Sequence, residues 1–247
     1  MMELRVGVIG AGVMGSGIAQ TLAVSGYETV CCDLAPAALE RAQVDVVSGR
    51  FGMESAVARG KLSRDAMREA QARLTWSDKL AMAAFADLII ECVPERLPLK
   101  IHVFRELDRL AKPTAILASN TSGFSIAALA AATDRPERVV GWHWASPPPV
   151  MKFAEIVAAE HTSQTTIETV CDVARACGKN PVVVKDTAMA WGFVANRVYF
   201  AMLREARAVV DEGVATREQV NQLMVDCFNW PVGPYGMTRG ATSGWDK

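Results

Sequence analysis

The sequence predicts an α/β fold with a doubly wound sheet, followed by a small all-helical domain at the C-terminus. Two patterns among the 247 residues carry this prediction. Up to about Lys185, short apolar runs typical of strands buried on both faces alternate with longer amphipathic segments. Residues 194–210 and 216–228 then follow helical periodicity, with no strand candidate between them. Right-handed crossovers arrange such an alternation into a mostly parallel sheet, so we predict domains at residues 1–185 and 186–247.

The first half of the chain begins with a near-continuous apolar run at residues 4–9 that ends in glycines. Residues 18–24 follow as a helix that Gly26 closes, and residues 27–32 form a second strand. The stretch 36–73 is alanine-rich, charged and helical in pattern. Its candidate breaks are three glycines: Gly49, Gly52 and Gly60.

The second half continues the alternation. Pro94 stops a buried strand at residues 86–93, and an amphipathic helix follows at residues 97–110. A short strand at residues 115–118 leads into the polar segment 119–122. The remaining candidates are strands at 138–142, 153–158 and 181–184, and a helix at 164–176.

Charge and composition argue against several kinds of partner. The 26 basic and 27 acidic residues nearly cancel, whereas binders of nucleic acid or membrane surfaces carry a basic excess. The apolar runs are shorter than the roughly 20 residues of a bilayer span, and no signal-peptide cleavage site follows the first of them. The six cysteines form neither a CxxC pair nor a zinc spacing. We therefore expect a cytoplasmic protein with no metal, no nucleic-acid partner and no membrane partner.

A glycine-rich motif after the first strand predicts a dinucleotide site. Gly10, Gly12, Val13, Met14 and Gly15 form a GxGxxG turn that opens a helix, which is the phosphate-binding loop of a Rossmann-type domain. The helix N-terminus offers unpaired N–H groups and partial positive charge to a diphosphate.

An acidic residue at the end of the second strand predicts which dinucleotide binds. The Asp33 carboxylate can bind the adenosine ribose hydroxyls, and it would repel a 2′-phosphate. Leu34 and Ala35 offer no cation to receive that phosphate, so we expect NAD rather than NADP. Asp33 could also cap the helix that follows it.

Several motifs together resemble the L-3-hydroxyacyl-CoA dehydrogenase family, in the order and nearly the spacing of that family. They are GVIGAGVMGSGIAQ at 7–20, ECVPE at 91–95, SNTS at 119–122, GWHWASPPPVMKFAEIV at 141–157 and GFVANR at 192–197. The resemblance covers almost the whole chain.

Oxidation of a secondary alcohol requires a base for the hydroxyl proton, and histidine suits that task. His143 follows a strand and enters a proline-rich turn, at the edge where open α/β sheets place ligands. His102 and His161 lie in a helix and in a polar turn, where surface or packing roles are expected. We therefore predict His143 as the base.

The resemblance implies roles for six further residues. Glu155 would pair with His143, Ser122 would bind the substrate 3-oxygen, and Asn196 would contact the same oxygen. Glu95 and Lys100 would lie near the nicotinamide ribose, and Ser146 replaces a family asparagine beside the nicotinamide. Two alternatives stay open, because Ser122 could cap a helix near Ser125 and Lys100 could be an ordinary exposed residue.

The sequence departs from the family in three further ways. The link to the helical domain at residues 186–193 reads as containing a three-residue insertion, which leaves the placement of Asn196 open. No clear match exists for the lysine that holds the CoA phosphates, although Arg50, Arg59 and Lys61 are candidates. The chain also stops at Lys247, which predicts an apparently truncated C-terminal domain.

The resemblance implies an NAD-dependent 3-hydroxyacyl-CoA dehydrogenase of fatty acid metabolism, with an acyl-CoA substrate and a homodimer formed through the helical domain. One alternative is a 3-hydroxy-acid dehydrogenase that acts on a free small acid resembling gulonate or carnitine. A second alternative is an NAD-binding protein without turnover. Fold alone does not decide among them.

Overall fold

The computed structural model of the chain describes residues 4–187 and 191–237. Contacts divide the chain into two compact units, Met1–Phe193 and Val194–Lys247. The predicted domain boundary near Lys185 falls slightly before this division. Residues 188–190, within the link that is predicted to contain an insertion, and the chain end at 238–247 lie outside the described residues.

The first unit contains an eight-stranded sheet with the strand order β3-β2-β1-β4-β5-β6-β7-β8. The neighbouring strands run parallel except at β6 and β7, which pair antiparallel. The strands are β1 (Val6–Ile9), β2 (Thr29–Cys32), β3 (Leu74–Ser77), β4 (Leu88–Glu91), β5 (Ile116–Ser119), β6 (Val139–Trp144), β7 (Phe153–Ala158) and β8 (Asn180–Lys185). This mostly parallel sheet confirms the predicted fold class.

Helices cover both faces of this sheet, as its strands require, because a strand that is apolar on both sides must be buried on both sides. One face packs against α1 (Val13–Val24), α2 (Pro36–Ser48), α4 (Arg64–Arg73) and α8 (Gln164–Ala176). The other face packs against α5 (Leu80–Ala84), α6 (Leu97–Leu110) and α7 (Ile126–Ala130). A short helix, α3 (Met53–Ala58), connects α2 to α4.

The structure differs from the sequence prediction at three places in the first unit. The helical stretch 36–73 is divided into α2, α3 and α4, with breaks at the predicted glycines. Strand β3 and helix α5 were not predicted, because β3 is a short edge strand with only one fully buried residue. Strand β6 extends to Trp144, so His143 lies inside the strand and not after it.

The second unit is helical, as predicted, and consists of α9 (Ala195–Asp211), α10 (Arg217–Phe228) and α11 (Pro234–Met237). A capping box starts α10: the Thr216 hydroxyl accepts from the Gln219 backbone N–H, and the Gln219 side chain accepts from the Thr216 N–H. The Tyr235 hydroxyl donates to the carbonyl of Ala206 at 2.9 Å, which ties α11 to α9. Within the described part of the chain, every helix is too short or too polar to cross a lipid bilayer.

Candidate active site

The candidate site lies along one edge of the sheet, where the carboxyl ends of parallel strands meet. Gly10 directly follows β1, Glu91 ends β4, and Ser119 ends β5. His143 is the penultimate residue of β6. Strands β2 and β3 lie to one side of β1, and β4 to β8 lie to the other side. The chain therefore reverses its winding direction between β1 and β4, and open α/β sheets bind ligands at such a switch point.

The glycine loop has the geometry of a diphosphate site. Gly10 has a φ of +103°, which favours glycine. A Cβ on Gly15 would collide with the carbonyl oxygen of Gly10, so that glycine is required by packing. Gly12 differs, because its φ of −70° suits any residue and a Cβ there would meet nothing within 4 Å. The open space over Gly12, beside the first turn of α1 with Val13 and Met14, fits the diphosphate of a dinucleotide.

Asp33 connects the end of β2 to this loop. Its carboxylate oxygens accept from the backbone N–H of Ala11 at 2.8 Å and from that of Ala35 at 2.9 Å. The second contact lies directly before α2, so part of the capping alternative is present. Each carboxylate oxygen can accept more than one hydrogen bond, so Asp33 can still bind ribose hydroxyls.

A cavity of about 240 Å³ lies beside Asp33. Its walls are mostly apolar and include Leu34, Val93 and Leu99, and His102 on α6 also lines it. Such a slot, next to the acid predicted to bind the ribose, suits the adenine of NAD. Sequence reasoning placed His102 among surface or packing residues and missed this position, since the pattern of α6 alone does not reveal what faces the end of β2.

Neutralising Asp33 should weaken the preference of the enzyme for NADH over NADPH. Asp33→Asn keeps a side-chain oxygen for the Ala11 N–H but removes the charge that repels a 2′-phosphate. We expect the ratio of the NADPH to the NADH dissociation constants to fall about tenfold, measured by cofactor fluorescence. Asp172→Asn, on the exposed face of α8, is the matched control. An unchanged ratio in Asp33→Asn would contradict the predicted role.

His143 and Glu155 form a buried pair on neighbouring strands. They are directly opposed in the antiparallel register of β6 and β7, and the His143 Nδ1 lies 2.7 Å from the Glu155 Oε2. Only 8% of His143 and 4% of Glu155 is exposed. The carboxylate can accept only from a protonated Nδ1, which leaves Nε2 as the nitrogen that can take a proton. The edge of Phe153 packs against the imidazole, with the ring centroids 5.3 Å apart.

The turn between β6 and β7 is held by a lysine that sequence reasoning missed. Lys179 is 6% exposed, and its Nζ donates to the carbonyls of Pro148 and Met151 at 2.6 and 2.8 Å. It also lies 5.1 Å from the ring centre of Trp144, and burial lowers its pKa. The exposed Ser146 belongs to this turn. A single lysine before a strand gives no sequence signal that would separate it from a surface residue.

The ends of β4 and β5 carry a second group of polar side chains. The ammonium of Lys100 lies 2.8 Å from the carboxylate of Glu91 and 3.1 Å from that of Glu95. Glu95 accepts from the Thr121 hydroxyl at 2.5 Å and from the Ser122 N–H at 2.9 Å. Lys100 is therefore not an ordinary exposed residue, since only 1% of it is accessible. The cap of α7 is Ser125 and not Ser122.

Glu91 was also missed by sequence reasoning. Its carboxylate is fully buried and accepts from three donors: Lys100, the Val93 N–H at 2.7 Å and the Ser119 hydroxyl at 2.7 Å. Burial raises the pKa of Glu91, while the Lys100 ammonium opposes that shift. Glu91 is the last residue of β4 and lies four residues before the predicted site residue Glu95. Its position at this edge of the sheet is the signal that could have identified it.

The structure brings most of the predicted site residues to one sheet edge. The glycine loop, Asp33, Glu95, Lys100, Ser122, His143 and Glu155 all belong to the first unit, and so does Ser146. Asn196 is the second residue of α9 and belongs to the second unit, so its contact with substrate stays a prediction.

A dinucleotide loop and a buried histidine–glutamate pair on one sheet edge define the class of protein as an oxidoreductase that uses a dinucleotide cofactor. Sequence comparison agrees. Residues 5–187 match the family model "3-hydroxyacyl-CoA dehydrogenase, NAD binding domain", and residues 192–245 match the C-terminal domain of the same enzymes.

Individual relatives lead to the same family. The chain is 39% identical to the probable 3-hydroxybutyryl-CoA dehydrogenase of Bacillus subtilis, over 96% of this chain and 80% of that protein. It is 38% identical to the 5-formyl-3-hydroxy-2-methylpyridine 4-carboxylate 5-dehydrogenase of Mesorhizobium japonicum, over 94% of this chain and 72% of that protein.

A solved structure also resembles this chain closely. The crystal structure of (S)-3-hydroxybutyryl-CoA dehydrogenase from Ralstonia eutropha superposes with a TM-score of 0.89, at 35% identity, over 95% of this chain and 81% of that one. The chain belongs to the 3-hydroxyacyl-CoA dehydrogenase family, and it is an NAD-dependent oxidoreductase.

Proposed function

We propose that this enzyme interconverts L-3-hydroxyacyl-CoA and 3-ketoacyl-CoA in fatty acid metabolism, with His143 as general base. One observation carries the assignment of the base: the in-register His143–Glu155 pair, buried at the edge of the sheet that also holds the glycine loop. A buried carboxylate beside a histidine fixes the tautomer of the ring and stabilises the imidazolium that forms when the ring takes a proton.

Each residue has a defined task in this reaction. Nε2 of His143 takes the proton of the substrate 3-hydroxyl, and Glu155 holds the ring while it is charged. Bound NAD+ supplies the acceptor for the hydride that leaves C3. In the reverse direction His143 returns the proton to the 3-oxygen. Ser122 and Asn196 bind that oxygen, and Glu95, Lys100 and Ser146 hold the nicotinamide nucleoside.

The acyl-CoA substrate is supported by the Bacillus and Ralstonia relatives, which are named as 3-hydroxybutyryl-CoA dehydrogenases. The Mesorhizobium relative is nearly as similar and is named as a dehydrogenase of a pyridine carboxylate. That second relative keeps a free acid without CoA as the alternative substrate, and a free 3-hydroxy acid is one such compound. The same His143–Glu155 pair would serve a 3-hydroxy acid and its CoA thioester, because the reacting carbinol is the same in both.

Oxidation of NADH at 340 nm with acetoacetyl-CoA tests the proposal, with free acetoacetate as the matched substrate that lacks CoA. We expect turnover with the thioester and at least tenfold lower kcat/KM with the free acid. Faster turnover with the free acid would assign the alternative. Tight NADH binding without turnover on either compound would contradict the proposed reaction.

We also propose a homodimer formed through the helical domain. Support comes from large apolar side chains that α9 and α10 leave exposed, among them Val198, Leu223 and Phe228. We expect a dimeric mass by light scattering at micromolar concentration, and a monomeric mass for Leu223→Asp. Glu212→Gln, also an exposed position of this unit, is the control. A monomeric parent protein would contradict the dimer.

A cytoplasmic location completes the proposal. All six cysteines lie in the described ranges and none of them forms a disulfide, which suits a reducing compartment. Cell fractionation should recover the protein with the cytoplasmic enzymes, and recovery from a secreted or membrane fraction would contradict this.

A further inference from the structure

The ionic cluster at the ends of β4 and β5, in which Glu91 and Lys100 are buried, has a charge imbalance. The cluster consists of Glu91, Glu95 and Lys100, so two carboxylates surround one ammonium. In the described ranges, no other lysine or arginine makes an ion pair with either carboxylate. Three donors point at Glu91: the Lys100 ammonium, the Val93 N–H and the Ser119 hydroxyl. These hydrogen bonds and the ammonium charge favour the carboxylate and oppose the effect of burial on its pKa. With both carboxylates ionised, the cluster carries a net charge of −1.

The cluster lies between the glycine loop and His143. On one side, Cys92 follows Glu91, and the Cys92 N–H donates to the carbonyl of Ile9, directly before Gly10. On the other side, the Asn120 N–H donates to the carbonyl of Glu91. The Asn120 side chain in turn accepts from the backbone N–H of Trp144 at 3.0 Å, one residue from His143.

These contacts place the cluster along the course of the bound cofactor. The diphosphate belongs at the glycine loop, and hydride is exchanged beside His143 in the proposed function, on which this step rests. The nicotinamide nucleoside must then pass the ends of β4 and β5. Its ring carries a positive charge in NAD+ and no charge in NADH.

We infer that Glu91 gives this site an electrostatic preference for the oxidised cofactor, through the net negative charge of the cluster. Glu91 touches neither substrate nor cofactor in this proposal and acts at a distance. At an effective dielectric constant of about 35, a unit charge about 10 Å from the ring changes the relative affinity about fivefold. Burial sustains the effect, because salt screens buried charges weakly.

Glu91→Gln tests the inference by neutralising the carboxylate at constant shape. The dissociation constant of NADH is measured by fluorescence, and that of NAD+ by displacement of NADH, both without substrate. We expect the ratio Kd(NAD+)/Kd(NADH) to rise about fivefold. Ser119→Ala is the matched control, because it removes a hydrogen bond to the same carboxylate without changing charge.

The measurements distinguish an electrostatic role of Glu91 from a role in packing. A merely structural role would weaken both cofactor forms equally, so an unchanged ratio in Glu91→Gln would overturn the inference. An equal rise of the ratio in Ser119→Ala would overturn it as well. If Glu91→Gln fails to fold, Glu95→Gln removes one charge from the exposed side of the cluster. The proposed contact of Glu95 with the nucleoside would be lost for both cofactor forms alike, so the ratio should still rise. The ratio is measured without turnover, so a failed acetoacetyl-CoA assay would count against the proposed function alone.

Discussion

Replacing His143 with glutamine is expected to lower kcat for NADH-dependent reduction of acetoacetyl-CoA about 10³-fold. A general acid or base typically contributes a factor of 10² to 10⁴. Glutamine keeps a polar group near Glu155 but cannot exchange a proton with the substrate oxygen. Since the glycine loop and Asp33 lie on other strands, the dissociation constant of NADH should change less than threefold.

The control for this variant is His161→Gln, which alters an exposed histidine in the turn after β7. Its kcat should equal that of the parent enzyme. Turnover by His143→Gln within tenfold of the parent would refute the assignment of the base. A loss of NADH binding in the same variant would instead indicate a damaged fold, which near-ultraviolet circular dichroism checks independently.

Glu155→Gln should lower kcat about 10²-fold, with NADH affinity preserved, because groups that orient a functional histidine usually contribute one to two orders of magnitude. The amide can still contact Nδ1, but it provides no charge to balance the imidazolium. The double variant His143→Gln/Glu155→Gln should lose no more than His143→Gln alone, because residues that act as a unit are not additive.

Glu160→Gln is the matched control, because Glu160 is exposed just beyond β7. Parent-like kcat is expected for it. Two results would contradict the orienting role of Glu155: a kcat within threefold of the parent in the single variant, or multiplied losses in the double variant.

The sequence contained most of the information on the first unit. Short apolar runs such as β1 and β4, bounded by glycine or proline, favour strands that are covered on both faces. The GxGxxG turn also predicted a local geometry, and the positive φ of Gly10 matches it. Strand β3 was missed because an edge strand buries little and carries no apolar run.

The site was predicted less completely than the fold. His143 was found because its neighbours form a motif, but its place inside β6 required the antiparallel pairing with β7. Glu91 and Lys179 were missed for a shared reason. Each is a charged residue whose partners lie far away in sequence, such as Ser119 for Glu91 and Pro148 for Lys179. Local patterns predict which elements form, whereas three-dimensional contacts decide which charges become buried.

The opposed placement of His143 and Glu155 limits how the sequence of this enzyme can evolve. Side chains of a strand alternate between faces, so a shift of one residue along β6 or β7 would turn one partner away from the other. Single insertions or deletions inside these two strands should therefore abolish activity. Substrate specificity can therefore change through substitutions outside β6 and β7, while the proton-transfer pair is kept.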